Sequence, residues 1–166
     1  MKWKHGSYPS IRIHPSVMQF YTEEGMTIAS VIVLVALAGY DGLTPRWLPP
    51  YIVGVAVILI LYLLYRYLYV TRTVYVITSE QLKYECGVFS CSRDFIELYR
   101  VIDYSEQRSF FQMLLGIKTI SIYSGDRTHP RLDLVGISNK VDLIPTIRER
   151  VELNKKRHNI HEFTNT

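Results

Sequence analysis

Several things are missing from this chain of 166 residues, and each absence removes a class of protein. Its two cysteines, Cys86 and Cys91, are too few for a disulfide framework. There is no Gly-rich phosphate loop, no Gly-x-Ser-x-Gly elbow and no His-Glu-x-x-His pair, so no familiar reaction centre announces itself. The five histidines lack metal-ligand spacing, except for His158 and His161 near the end. Charge is missing from two whole stretches, Gly25–Gly39 and Trp47–Tyr65. Hydrophobic residues make up 48% of the chain, yet the mean hydropathy is only +0.07, so the apolar residues are concentrated in those stretches. With 20% charged and 13% aromatic residues, the chain is neither disordered nor collagen-like.

A helix of about 20 apolar residues crosses a bilayer. The second run meets that length alone, and the first meets it by extending to Leu43 past Asp41. The reading is a membrane hairpin over residues 25–65, with spans of about 25–43 and 47–65 and a turn at 40–50 rich in proline and glycine. A secretory signal is the competing reading of the first run, but 24 residues precede it and no small-residue cleavage pattern follows. Residues 1–24 are read as a cytoplasmic tail. Lys2, Lys4 and Arg12 before the hairpin, and Arg66 and Arg72 after it, outnumber Arg46 in the turn. The positive-inside rule then puts both ends in the cytoplasm and the turn outside. Trp47 at the outer level, and Tyr62, Tyr65, Tyr67 and Tyr69 with a snorkelling Arg66 and Arg72 at the inner level, are the expected membrane-interface residues.

After Val70 the pattern changes to period two. In Gln81–Cys86 the even positions are apolar and the odd ones polar, as in a half-buried strand. Similar runs are Arg72–Thr78, Val88–Arg93, Val101–Glu106, Ile117–Tyr123 and Arg131–Val135, separated by turn signals. Closely spaced short strands argue for an antiparallel sandwich or barrel. Arg108–Gly116 interrupts the alternation and reads as a short helical or irregular cover. Val141, Ile144, Ile147 and Val151 recur at helical spacing, with Ser138 or Asn139 as the expected N-cap and a kink or separate first turn expected at Pro145. From Lys155 to Thr166 the reading is a basic and polar tail.

Within this order, Val76-Ile77-Thr78-Ser79-Glu80-Gln81-Leu82, Cys86-Gly87-Val88-Phe89, Phe95-Ile96-Glu97-Leu98 with Val101-Ile102, and Met113-Leu114-Leu115-Gly116-Ile117 resemble the bacterial pleckstrin-homology-like domains that follow a two-helix membrane hairpin. The resemblance implies a membrane-anchored α+β protein, with a PH-like domain over 71–154 built as a seven-stranded, partly open barrel capped by a C-terminal helix. It implies a fold that binds and positions rather than catalyses. Cys86 and Cys91 depart from the more usual polar or basic residues near that turn.

Over Thr71–Asn154 eleven basic residues face eleven acidic ones, so the folded part is neutral and the formal net charge of +4 comes largely from the ends. Nucleic-acid binding, which needs a basic face, is not expected. Neither a cofactor nor a metal is called for. The expected function is a non-enzymatic inner-membrane protein whose cytoplasmic domain docks a protein partner or another copy of itself. An anionic lipid-headgroup binder is the alternative, with Lys155, Lys156 and Arg157 as the contact. The weakest reading is an enzyme with a pocket near Asp94, Glu97 and Asp103.

Overall fold

In the computed structural model, whose described residues are 8–40, 47–88, 92–127 and 129–158, the two uncharged runs lie in two long helices that pack on each other. The first, α1, is Met18–Ala38, and the second, α2, is Leu48–Arg72. At 1.5 Å per residue they are about 32 and 38 Å long, and both are long and apolar enough to cross a membrane. Each reaches seven residues beyond the expected span at its domain end. The extension carries Gln19, Glu23, Glu24 and Arg66, polar groups that find partners there. Asp41 and most of the expected turn lie outside the described residues.

Strand β1 is Ile11–Ile13, ahead of α1 in the stretch read as a tail. Four strands follow α2: β2 Val74–Ile77, β3 Gln81–Cys86, β4 Ser92–Glu97 and β5 Val101–Gln107. After a one-turn helix, α3, at Phe110–Leu114 come β6 Ile117–Ser124 and β7 Arg131–Ser138, and the closing helix α4 is Ile144–Arg157. The strands form two antiparallel sheets, β1-β2-β3-β4 and β5-β6-β7. Six extended runs were expected after the hairpin, and the seventh strand comes from before it: Ile11 pairs with Ile77, Arg12 with Val76 and Ile13 with Tyr75. Two antiparallel sheets, seven strands and a C-terminal helix make the PH-like α+β arrangement.

The alternation explains the core. Tyr75 and Ile77, Leu82, Ile96, Ile120 and Ile122, and Leu132 and Leu134 all turn inward, and Leu143, Ile147 and Val151 close over them. Fully burying each such aliphatic side chain contributes about 1.5–3 kcal/mol. Where the sequence expectation fails, the reasons are local. Arg72 belongs to α2 rather than to a strand, because α2 runs on to within one residue of β2. The strand expected at Val88–Arg93 is found as Ser92–Glu97, with Ser92 paired to Cys86, and residues 89–91 lie outside the described residues. Neither Ser138 nor Asn139 caps α4: Ser138 ends β7, and Leu143 occupies the N-cap without a side-chain bond. Pro145 falls in the first turn of α4, where its missing N–H costs nothing. The helix also continues through Lys155, Lys156 and Arg157, which form its last turn and not a tail.

Candidate functional site

Much of the apolar surface of the two long helices is exposed. Ile32, Val33, Val35, Leu37, Val53, Ile58, Leu61 and Leu64 are exposed, whereas the buried residues are Gln19, Phe20 and Glu24 in α1 and Ala56 and Val70 in α2. Glu24 is 5% exposed. Arg66 Nε donates to Glu24 Oε1 at 2.7 Å, and Tyr62 Oη donates to the same oxygen at 3.1 Å. Thr27 Oγ1 donates to Glu24 Oε2 at 3.1 Å, and Arg66 Nη2 also bonds to Glu23. A carboxylate between apolar helices is costly unless paired and hydrogen-bonded; here every oxygen of Glu24 has a donor.

From this cluster a line of hydrogen bonds runs into the β domain. Gln19 Nε2 donates to Glu23 Oε1 at 2.8 Å, Gln112 Nε2 donates to Gln19 Oε1 at 3.0 Å, and Gln112 Nε2 also reaches Thr119 Oγ1 at 2.9 Å. The line therefore links α2, α1, α3 and β6. Gln112 is held by a capping box in which Gln112 N–H donates to Ser109 Oγ and Ser109 N–H donates to Gln112 Oε1. A second latch lies on β7. Ser16 N–H donates to the Gly136 carbonyl at 2.8 Å, and Gly136, with φ +74°, sits so close to α1 that a Cβ would stand 2.9 Å from Gln19 Cβ. Only glycine suits both the backbone and the space.

Between helix base and domain is a cleft of about 160 Å³, lined by Gln19, Glu23, Arg66, Tyr69, Tyr75 and Tyr84 among others. It is smaller than the roughly 300–1,000 Å³ of most small-molecule pockets. Tyr75 Oη donates to Val135 O and accepts from Val135 N–H, and burial pushes its phenol up to about 12. Burial also raises Tyr84, whose ring stacks on Tyr75 with centroids 5.5 Å apart. Phenols held protonated beside ion-paired carboxylates offer neither a base nor an activated nucleophile. The arrangement joins parts of the molecule together.

The expected site residues fall in several places. Arg66 was expected to snorkel as an interface anchor, but it crosses to α1; the signal was Glu23-Glu24 before one apolar run and Arg66 after the other, opposite charges at one level of a hairpin. Tyr62 joins that cluster, Tyr65 and Tyr67 are exposed, Tyr67 meets the ring of Phe20 edge-on at 5.7 Å, and the Tyr69 and Tyr84 hydroxyls are 3.4 Å apart. Trp47 is exposed just before α2, against Tyr51, and Arg72 is exposed at the other end. Arg157 lies 4.0 Å from Glu80, which places the Lys155–Arg157 turn beside the β2–β3 connection, at the far end of β2 from α2. Asp94, Glu97 and Asp103 do not converge: Asp94 is 3.9 Å from His129, Glu97 is 3.1 Å from Arg100, and Asp103 accepts from the Tyr104 N–H on the other sheet. Cys86 is buried, and Cys91 lies outside the described residues.

Sequence reasoning missed Arg150, which is 2% exposed. Its guanidinium donates to the carbonyls of Ile77, Thr78 and Pro9, each at 2.9 Å, and lies over the Tyr8 ring. It ties the stretch leading into β1 to α4 and the end of β2.

A family model described as the bacterial PH domain matches residues 27–151, about three quarters of the chain. No curated protein and no solved structure matches it.

Proposed function

The chain belongs to the bacterial PH domain family, and we propose that it is a two-span inner-membrane member whose cytoplasmic PH-like domain assembles with a protein partner or a second copy at the membrane surface. The observation that carries this reading is the exposed apolar surface along α1 and α2, together with the buried Glu24 that pairs with Arg66 between the two helices. Such a pair suits a hydrocarbon solvent, where interhelical hydrogen bonds and ion pairs face inward. Pairing of β1 with β2 keeps both ends of the hairpin on one side, and the basic residues at those ends favour the cytoplasm. Trp47, Tyr65 and Tyr67 serve as interface anchors in this reading.

Only Thr73 separates α2 from β2, and four residues separate β1 from α1. The domain is thus mounted on two short struts and further fixed by the glutamine line and the Gly136 latch, which supports a presenting role close to the bilayer. PH-like domains are generally binding modules, which agrees with that use. The distal position of Lys155, Lys156 and Arg157 does not favour the lipid-headgroup alternative.

Native mass spectrometry of the chain, expressed near natural levels and extracted in mild detergent, tests the assembly. The expected result is a stoichiometric complex heavier than the 19.4 kDa chain; a bare monomer at all concentrations overturns it. Orientation is tested by single cysteines at Gly42 and Lys140 in a chain lacking Cys86 and Cys91. An impermeant thiol reagent added to intact cells is expected to label the first and spare the second.

A further inference from the structure

We propose that α3 is a wedge in the bilayer interface, its side chains Phe110, Phe111, Met113 and Leu114 resting among lipid headgroups beside the base of the hairpin. The proposal rests on the spanning reading of α1 and α2. These four side chains are 75, 60, 63 and 74% exposed, so every large apolar residue of a five-residue helix faces out of the protein. Exposed apolar groups at this density mark an interaction surface. Gln112, the remaining residue, is buried and bonded to Gln19 and Thr119, so the helix is fixed at one level of α1.

That level identifies the occupant. The uncharged run of α2 ends at Tyr65, next to the Arg66–Glu24 pair, which sets the inner edge of the hydrocarbon. Gln19 lies five residues before Glu24 on α1, about 7–8 Å further along the helix. The headgroup layer on each side of a bilayer is about 5–8 Å thick. Fixed to Gln19, α3 falls in the outer part of that layer, and its exposed side chains reach the headgroups, where interfacial helices rest their apolar faces. The apolar surface of α1 continues to the same level: Val17, Met18 and Tyr21 are exposed there. No hydrogen-bonding side chain of α3 is left facing outward to select a protein partner, and lipid needs none.

Depth measurement tests the wedge in the intact chain. Single nitroxide labels are placed at Phe111, Leu114, Ile58 and Lys156, with Cys86 and Cys91 replaced by alanine, in nanodiscs of phosphatidylcholine and phosphatidylglycerol holding one copy each. Power saturation with oxygen, which partitions into lipid, and a nickel chelate, which stays in water, reads the depth. The expected oxygen-to-nickel ratio at Phe111 and Leu114 is several-fold above that at Lys156 and below that at Ile58. Ratios equal to Lys156 overturn the wedge while Ile58 still reports lipid, leaving the spanning reading intact. Labels at Phe111 and Leu114 shielded from both reagents overturn it in favour of a protein cover. A water-like ratio at Ile58 overturns the spanning reading and the wedge with it.

Discussion

Replacing Arg66 with methionine keeps most of the side-chain volume but leaves the Glu24 carboxylate between two apolar helices with only Tyr62 and Thr27 as donors. The Glu24 side chain is 7% exposed and that of Arg66 26%. Two unit charges about 4 Å apart attract by about 4 kcal/mol at an effective dielectric constant of about 20, and removing one partner of a buried pair costs about 3–5 kcal/mol. Because a quarter of Arg66 is accessible, a loss of about 2–4 kcal/mol is expected. Glu24→Gln is the milder change. It retains an oxygen acceptor for Tyr62, and Glu23 still neutralises Arg66, so about 1 kcal/mol is expected. The double variant E24Q/R66M removes both charges and is expected to recover about 1–2 kcal/mol relative to R66M alone. The assay is reversible unfolding of the full chain in mixed micelles at increasing mole fraction of dodecyl sulfate, followed by far-UV circular dichroism. If R66M unfolds within 0.5 kcal/mol of the parent, or the double variant is no more stable than R66M, the ion pair is not the lock inferred from its geometry.

Other outcomes are expected elsewhere. Gly136→Ala forces a side chain into positive φ and against Gln19, costing about 2–4 kcal/mol, and faster hydrogen exchange at the Ser16 amide would show that the latch has opened. Arg150→Met strips donors from the Pro9, Ile77 and Thr78 carbonyls, for a loss of about 2–4 kcal/mol in the same unfolding assay; a loss below 0.5 kcal/mol contradicts the clamp. The Tyr75 phenol has a folded value of about 12 against an ordinary 10, so its contribution is complete below pH 10 and fades as pH rises towards 12. That contribution is about 2–3 kcal/mol, and Tyr75→Phe is expected to flatten the alkaline decline, with Tyr84 accounting for a residual slope. A fragment of residues 71–166 lacks β1 and leaves the edge of β2 bare; size-exclusion chromatography is expected to show aggregation, relieved when residues 8–16 are fused ahead of it.

Much of this architecture could be read along the chain because it depends on neighbours in sequence. Charge-free runs marked the long helices, and period-two alternation marked β3 with both its ends correct. What stayed hidden depends on residues far apart. Three residues, Ile11–Ile13, are too few to show alternation, and their strand exists only because β2 lies beside them. Arg150 reads as one more cation near a helix end until the fold brings three carbonyls to it. Glu23, Glu24 and Arg66 were visible as charges flanking the apolar runs, but their meeting required the hairpin to be closed in register. The separated positions of Asp94, Glu97 and Asp103 likewise follow from which sheet each strand joins.

The placement of β1 ahead of the hairpin has a consequence for how the molecule is made. As a ribosome delivers the chain, Ile11–Ile13 emerge before their partners Tyr75, Val76 and Ile77, which come only after both long helices. If α1 and α2 span a bilayer as proposed, a chain that inserts one helix and not the other leaves the two strands in different compartments. The sheet then lacks an edge, Arg150 lacks the Pro9 carbonyl and β2 stays open to proteases and chaperones. On the proposed spanning reading, completing the β1–β2 pairing therefore requires an even number of crossings.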